Sequence, residues 1–145
     1  MGNIKKSKVK FLDLTHRKDG YSTIYRWFQR VSSNDWSSGH FSDKLVVAMR
    51  NFQTVYSAWD GDKLIGMVCA LDDGIMTAYL HYMLVRPEYH HQGIGHKLLD
   101  LMKEHYQDYL RIGLIAYNTE LDFYESCGFK KAENASPMFI TSLWT

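Results

Sequence analysis

The chain has 145 residues, 46% of them hydrophobic, with 17 Lys plus Arg against 16 Asp plus Glu and a formal net charge of +1. That length fits a single domain over residues 1–145, with apolar material for a sizeable core, and is short for two. The balanced charge excludes a broad electrostatic case for nucleic acid or an anionic membrane, and no apolar stretch approaches the ~20 residues that span a bilayer.

The N-terminal MGNIKKSKVKF is basic but lacks the apolar run of a signal peptide, and Cys69 and Cys127 lack metal-ligand spacing. A reduced, cytoplasmic protein is expected. Residues 8–14 alternate as a first strand, and Ile24, Trp27, Phe28 and Val31 fall at helical spacing within 19–32. The polar segment 32–40 reads as a loop, and 41–51 as a short helix with Phe41, Leu45, Val46 and Met49 on one face. Strands at 53–59 and 63–71 flank Asp60-Gly61-Asp62, a hairpin signal. An apolar, aromatic strand follows at 76–85, then a helix at 95–107 with Leu98, Leu99, Met102 and Tyr106 on one stripe. A strand at 110–116 and a short helix at 118–126 precede Gly128, a C-terminal glycine, and a final strand or hairpin is expected over 128–143. The order β-α-α-β-β-β-α-β-α-β(β) predicts an α+β fold, a mostly antiparallel sheet with a crossover helix after the long central strand.

The segment MLVRPEYHHQGIGHKLLDLMKEHY, residues 83–106, carries the chemistry. A strand ends at Val85, a Pro-containing turn follows, and a helix begins straight after Gly93-Ile94-Gly95. Glycine lets backbone approach a ligand closely and tolerates positive φ. A helix N-terminus offers free N–H groups and the positive end of the dipole, so the arrangement suits phosphate. Neither a dinucleotide-binding fingerprint nor a P-loop is present, because no third glycine and no Gly-Lys-Ser/Thr follows. His90, His91 and His96 cluster here, but adjacent histidines on a turn share one ion poorly and no Cys or carboxylate completes a set, so no metal is expected.

The run LVRPEYHHQGIGHKLL resembles motif A of the GNAT superfamily, the acyl-CoA-dependent N-acetyltransferases, whose core is Q/R-x-x-G-x-G/A. Here the pattern falls on His90-His91-Gln92-Gly93-Ile94-Gly95, with His90 where Gln or Arg is usual. Downstream, NTELDFYESCGF at 118–129 resembles the family segment in which Asn or Ala precedes a helix ending in F-Y-x-x-x-G-F. The two matches stand in the right order with a strand between them, and the resemblance covers about residues 53–131.

The resemblance implies a GNAT-type fold, a mixed, mostly antiparallel sheet flanked by helices, and acetyl-CoA as co-substrate. It places the backbone of Met83, Leu84 and Val85 along the pantetheine arm. The amides of Gln92, Gly93, Ile94, Gly95 and His96 fall around the pyrophosphate, beside the loop residues His90 and His91 and the cations Lys97 and Arg86. Asn118 matches a polar residue that bonds the pantetheine arm. Tyr124 matches the tyrosine beside the CoA sulfur, which acts as general acid. Some family members carry a Glu near Tyr79. His81, two residues on and on the same face, is the candidate base, with Asp72 and Asp73 as alternatives.

In this family the N-terminal helices wall the acceptor site. Here they offer aromatic residues including Tyr21, Tyr25, Trp27, Trp36, His40 and Phe41, so Trp36, Phe41 and Tyr79 are the candidate acceptor contacts. The expected acceptor is a small primary amine of arylalkylamine type. Protein lysines and N-termini remain open, as does a CoA-binding sensor without turnover. The apolar segment 138–144 suits a homodimer contact.

Overall fold

The computed structural model describes residues 8–15 and 42–141. The expected helix at 19–32, the loop at 32–40, and Trp36 and Phe41 lie outside them. The described elements are β1 (Val9–Asp13), α1 (Ser42–Asn51), β2 (Thr54–Asp60), β3 (Lys63–Asp72), β4 (Thr77–Val85), a 3-10 turn (Pro87–Tyr89), α2 (Ile94–His105), β5 (Arg111–Leu114), a second 3-10 turn (Asn118–Glu120) and α3 (Leu121–Ser126).

The five strands form one sheet in the order β1-β2-β3-β4-β5. The first four are antiparallel, and β5 runs parallel to β4 with α2 as the crossover. Asp60 and Lys63 pair across the expected hairpin, whose turn holds Gly61 at φ +59°. Strand β3 is buried from Leu64 to Ala70, because both of its faces are covered. On one face Leu14, Met49 and Phe52 pack against Leu64, Met67 and Tyr82. On the other the predicted α2 stripe of Leu98, Leu99, Met102 and Tyr106 packs against Ile65, Val68 and Leu80.

Two departures from simple alternation matter. On β4, Leu80 pairs with Ala70 and Tyr82 pairs with Cys69, so His81 is an extra residue without a partner on β3, a β-bulge. The bulge reverses the phase of the strand. Ala78 and Leu80 face α2, whereas beyond it Tyr82 and Leu84 turn to the opposite core. In addition, β5 pairs with β4 only over Thr77–Leu80, so among the described residues no strand lies on the outer edge of β4 from His81 to Val85.

The final strand expected over 128–143 does not form among the described residues, which run irregularly from Phe129 to Thr141. Beyond Phe129, Met138 is 91% exposed and Ile140 is fully exposed, so that stretch buries no apolar face against the sheet. An extended segment that buries nothing lacks the packing that stabilises a strand, and Pro137 lacks a ladder donor.

Candidate active site

The uncovered edge of β4, the start of α2 and the face of α3 enclose a cavity of about 290 Å³. Met83, Val85, Tyr89, His90, His91, Gly93, Ile94, Gly95, His96, Glu120, Phe123 and Tyr124 line it. The cavity therefore brings together most residues expected at a cofactor site. Leu84 is buried in the opposite core, and Lys97 and Asn118 are exposed without lining the cavity.

The cradle follows from local chain geometry. His91 takes φ +61° and Gly93 φ +81°, so the chain folds back on itself just before α2. A Cβ built on Gly93 meets nothing within 4 Å, leaving the space above the loop open. A Cβ on Gly95 lies 2.8 Å from Phe123 Cζ and 3.0 Å from Met83 Cε, so only glycine lets α2, α3 and β4 meet there. The Lys97 amide donates to Gly93 O (3.0 Å), which leaves the amides of the preceding first-turn residues aimed out of the helix. A phosphate group fits this open backbone cradle.

The side chains around the cradle are tied down. His90 Nε2 donates to Val85 O (2.8 Å) at the end of the uncovered strand edge. Gln92 Nε2 reaches Glu88 O (3.4 Å), while its Oε1 is buried with no partner among the described residues. His96 Nδ1 lies 3.2 Å from Cys127 Sγ and its Nε2 3.4 Å from Ser126 Oγ, joining α2 to the end of α3. Arg86 Nε donates to Leu64 O (2.5 Å). Tyr89 donates to Asp60 Oδ2 (2.5 Å), and Lys63 pairs with Glu88 (3.3 Å).

Tyr124 packs edge-on against Phe123 and Phe129, with ring centroids 5.2 and 5.9 Å away. Burial, with smaller contributions from Glu120 and Cys127, pushes its phenol up to about 12, so it keeps its proton at neutral pH. On the other side of the sheet His81 stacks on Tyr82 (4.2 Å between centroids) and meets Phe52 and Tyr79 at 5.7 Å each. Burial holds the His81 imidazole below its ordinary value, which favours the neutral, proton-accepting form.

The alternative carboxylates have other partners. Asp72 accepts from the Tyr106 hydroxyl (2.7 Å) and the Tyr109 hydroxyl (3.3 Å). Asp73 Oδ1 accepts from the amides of Ile75, Met76 and Thr77, which lower its pKa. Sequence reasoning missed the His81 bulge, the place of Tyr89 and Glu120 in the cavity wall, and the His96–Cys127 contact. Only the glycines and the Pro-containing turn carried a local signal for any of them.

Among the described residues no His, Cys, Asp and Glu side chains group to hold a metal ion, and no helix is long and apolar enough to cross a membrane. Comparison with solved structures gives an acetyltransferase of the GNAT family from Streptococcus pneumoniae at TM-score 0.77 and 22% identity, covering 92% of this chain and 98% of that one. An aminoglycoside acetyltransferase from an uncultured soil metagenomic sample, solved in complex with sisomicin, gives TM-score 0.72 and 20% identity over 93% and 97% of the two chains. At these identities the likeness is one of fold. No curated protein matches the chain. A family model described as the acetyltransferase (GNAT) domain matches residues 51–131, which span the hairpin, the uncovered strand, the glycine cradle and the tyrosine helix. The chain belongs to the GNAT acetyltransferase family.

Proposed function

We propose that the protein transfers an acetyl group from acetyl-CoA to the primary amine of a small molecule by direct attack. The observation that carries this reading is the cavity in which the β4 edge, the start of α2 and the Tyr124 ring converge. Bound acetyl-CoA supplies the activated thioester. The chain's own groups do the rest. Backbone along Met83 and Val85 pairs the extended arm, and amides from Gln92 to His96 donate hydrogen bonds to the pyrophosphate. The amine nitrogen bonds to the thioester carbon, the carbon–sulfur bond breaks, and the Tyr124 hydroxyl gives its proton to the departing thiolate. His81, held neutral by burial, takes the amine proton directly or through water.

An arylalkylamine-type acceptor is favoured by the half-buried rings of Tyr79 and His81, backed by the buried rings of Phe52 and Tyr82, as aromatic contacts for an apolar ammonium or amine. A polycationic acceptor wants carboxylates, and those of Asp72 and Asp73 are already bonded by protein donors. The aminoglycoside acetyltransferase of like fold still keeps that class as the second reading. The test is thiol release from acetyl-CoA with a panel of arylalkylamines, aminoglycosides and lysine peptides. Turnover on arylalkylamines is the expected result. Turnover on aminoglycosides alone would move the acceptor class, and acetyl-CoA binding without turnover on any amine would make this a sensor domain.

A further inference from the structure

Among the described residues, none that lines the cavity expected to hold a highly anionic ligand is Lys or Arg. The lining includes three histidines, His90, His91 and His96, and one carboxylate, Glu120. The nearby cations are engaged elsewhere or set back. Arg86 is bonded to Leu64 O, Lys63 is paired with Glu88, and Lys97 is exposed outside the lining. Resting on the acetyl-CoA reading above, we infer that these imidazoles supply the cationic charge of the phosphate cradle and make CoA affinity depend on pH in the neutral range.

Three observations support the inference. His90, at the loop's first position, places an imidazole in the cavity wall. Its Nε2 is already committed as a donor to Val85 O, so a proton taken up goes to Nδ1 and turns the ring into a second donor with a positive charge. His91 is held at φ +61° beside it, with ring centroids 6.3 Å apart, on the open side of the cradle. Histidine is the side chain whose charge ordinarily changes between about pH 5 and pH 8.

The other groups facing the cradle do not reproduce this behaviour. Tyr124 on α3 and Tyr89 on the 3-10 turn both have raised pKa values, Tyr124 chiefly by burial and Tyr89 chiefly by its bond to Asp60, so they stay neutral. Glu88, bonded by its own backbone amide and by Lys63, is lowered and stays ionised, and the Cys127 thiol beside His96 is raised by burial and stays protonated. The Glu120 carboxylate opposes the polyanion and stabilises any imidazolium facing it. The sign follows directly. Falling pH adds positive charge to the cradle, the bound anion stabilises that charge, and binding takes up protons.

The test is isothermal titration in buffers of different ionisation enthalpy, at fixed ionic strength, from about pH 6 to about pH 8. The probe is 3′-dephospho-CoA, because the 3′-phosphate of CoA itself titrates near pH 6 and its pyrophosphate does not. The expected result is net proton uptake on binding and an affinity that weakens about tenfold across that range. His90→Gln should flatten the profile in part. The combination of His90→Gln, His91→Asn and His96→Gln should remove it, with Asn chosen because it tolerates positive φ, and circular dichroism checking the fold. A flat profile in the wild type, or a slope that survives in the folded triple variant, overturns the inference. Absence of binding at every pH, to CoA and to the probe, overturns the cofactor reading itself.

Discussion

Tyr124 and His81 sit on opposite sides of β4, and burial keeps both uncharged. It keeps the tyrosine protonated as a donor and keeps the histidine neutral as an acceptor. Tyr124→Phe retains the ring that packs on Phe123 and Phe129 and removes only the hydroxyl. It is expected to lower kcat about 10²-fold with little change in KM for acetyl-CoA, read from thiol-release kinetics. For His81, the imidazole accepts a proton only above its lowered pKa. Plotted against pH at saturating acetyl-CoA and amine, kcat should therefore be level through neutrality and fall only as pH drops below 6.5. The same shift bears on stability. The unfolded chain takes the proton at higher pH than the folded one, so His81's contribution is complete above 6.5 and is lost as pH falls through the lower folded value. His81→Gln should remove the acid limb. A limb that persists assigns it to another group.

At the scale of elements, α2 connects the phosphate cradle at one end to a polar knot at the other. Gly95 fixes the first end, and Gly95→Ala must push Phe123 and Met83 apart. A loss of about 1–3 kcal/mol in chemical denaturation is expected, with acetyl-CoA binding weakened about tenfold. At the other end the Tyr106 hydroxyl, buried in the core, bonds Thr54 Oγ1 (2.6 Å) and Asp72 Oδ2 (2.7 Å). Tyr106→Phe should cost about 1–3 kcal/mol by stranding these groups, and leave acetyl-CoA affinity within about twofold because the sites are far apart on the helix. The hairpin and α2 were legible because a turn signal and a buried stripe are local patterns. The cradle and Tyr124 were legible through two contiguous runs of residues. The His81 bulge was not, because it exists only in the register between β3 and β4. The expected C-terminal strand failed for a related reason. Its apolar residues suggested extension, but no described strand lies against them to make it a sheet.

For the whole molecule, the site is a product of topology. Among the described residues, four antiparallel strands and one short parallel strand leave the outer edge of β4 unpaired beyond Leu80. The crossover helix required by parallel pairing delivers its N-terminus to that gap, and α3 closes the far wall with Tyr124. Sequence order alone predicted the crossover, but not where the two strands part, which depends on how far four residues of β5 extend along β4. The most direct test is isothermal titration of the intact chain with acetyl-CoA, repeated with Gly93→Glu. The substitution strains the backbone at φ +81°, but its Cβ lies more than 4 Å from other protein atoms and its carboxylate faces the space expected to hold a pyrophosphate. Micromolar binding by the wild type, abolished in a variant that still folds, is the predicted result. No binding by the wild type, or equal binding by the variant, would contradict a cofactor site at this cradle.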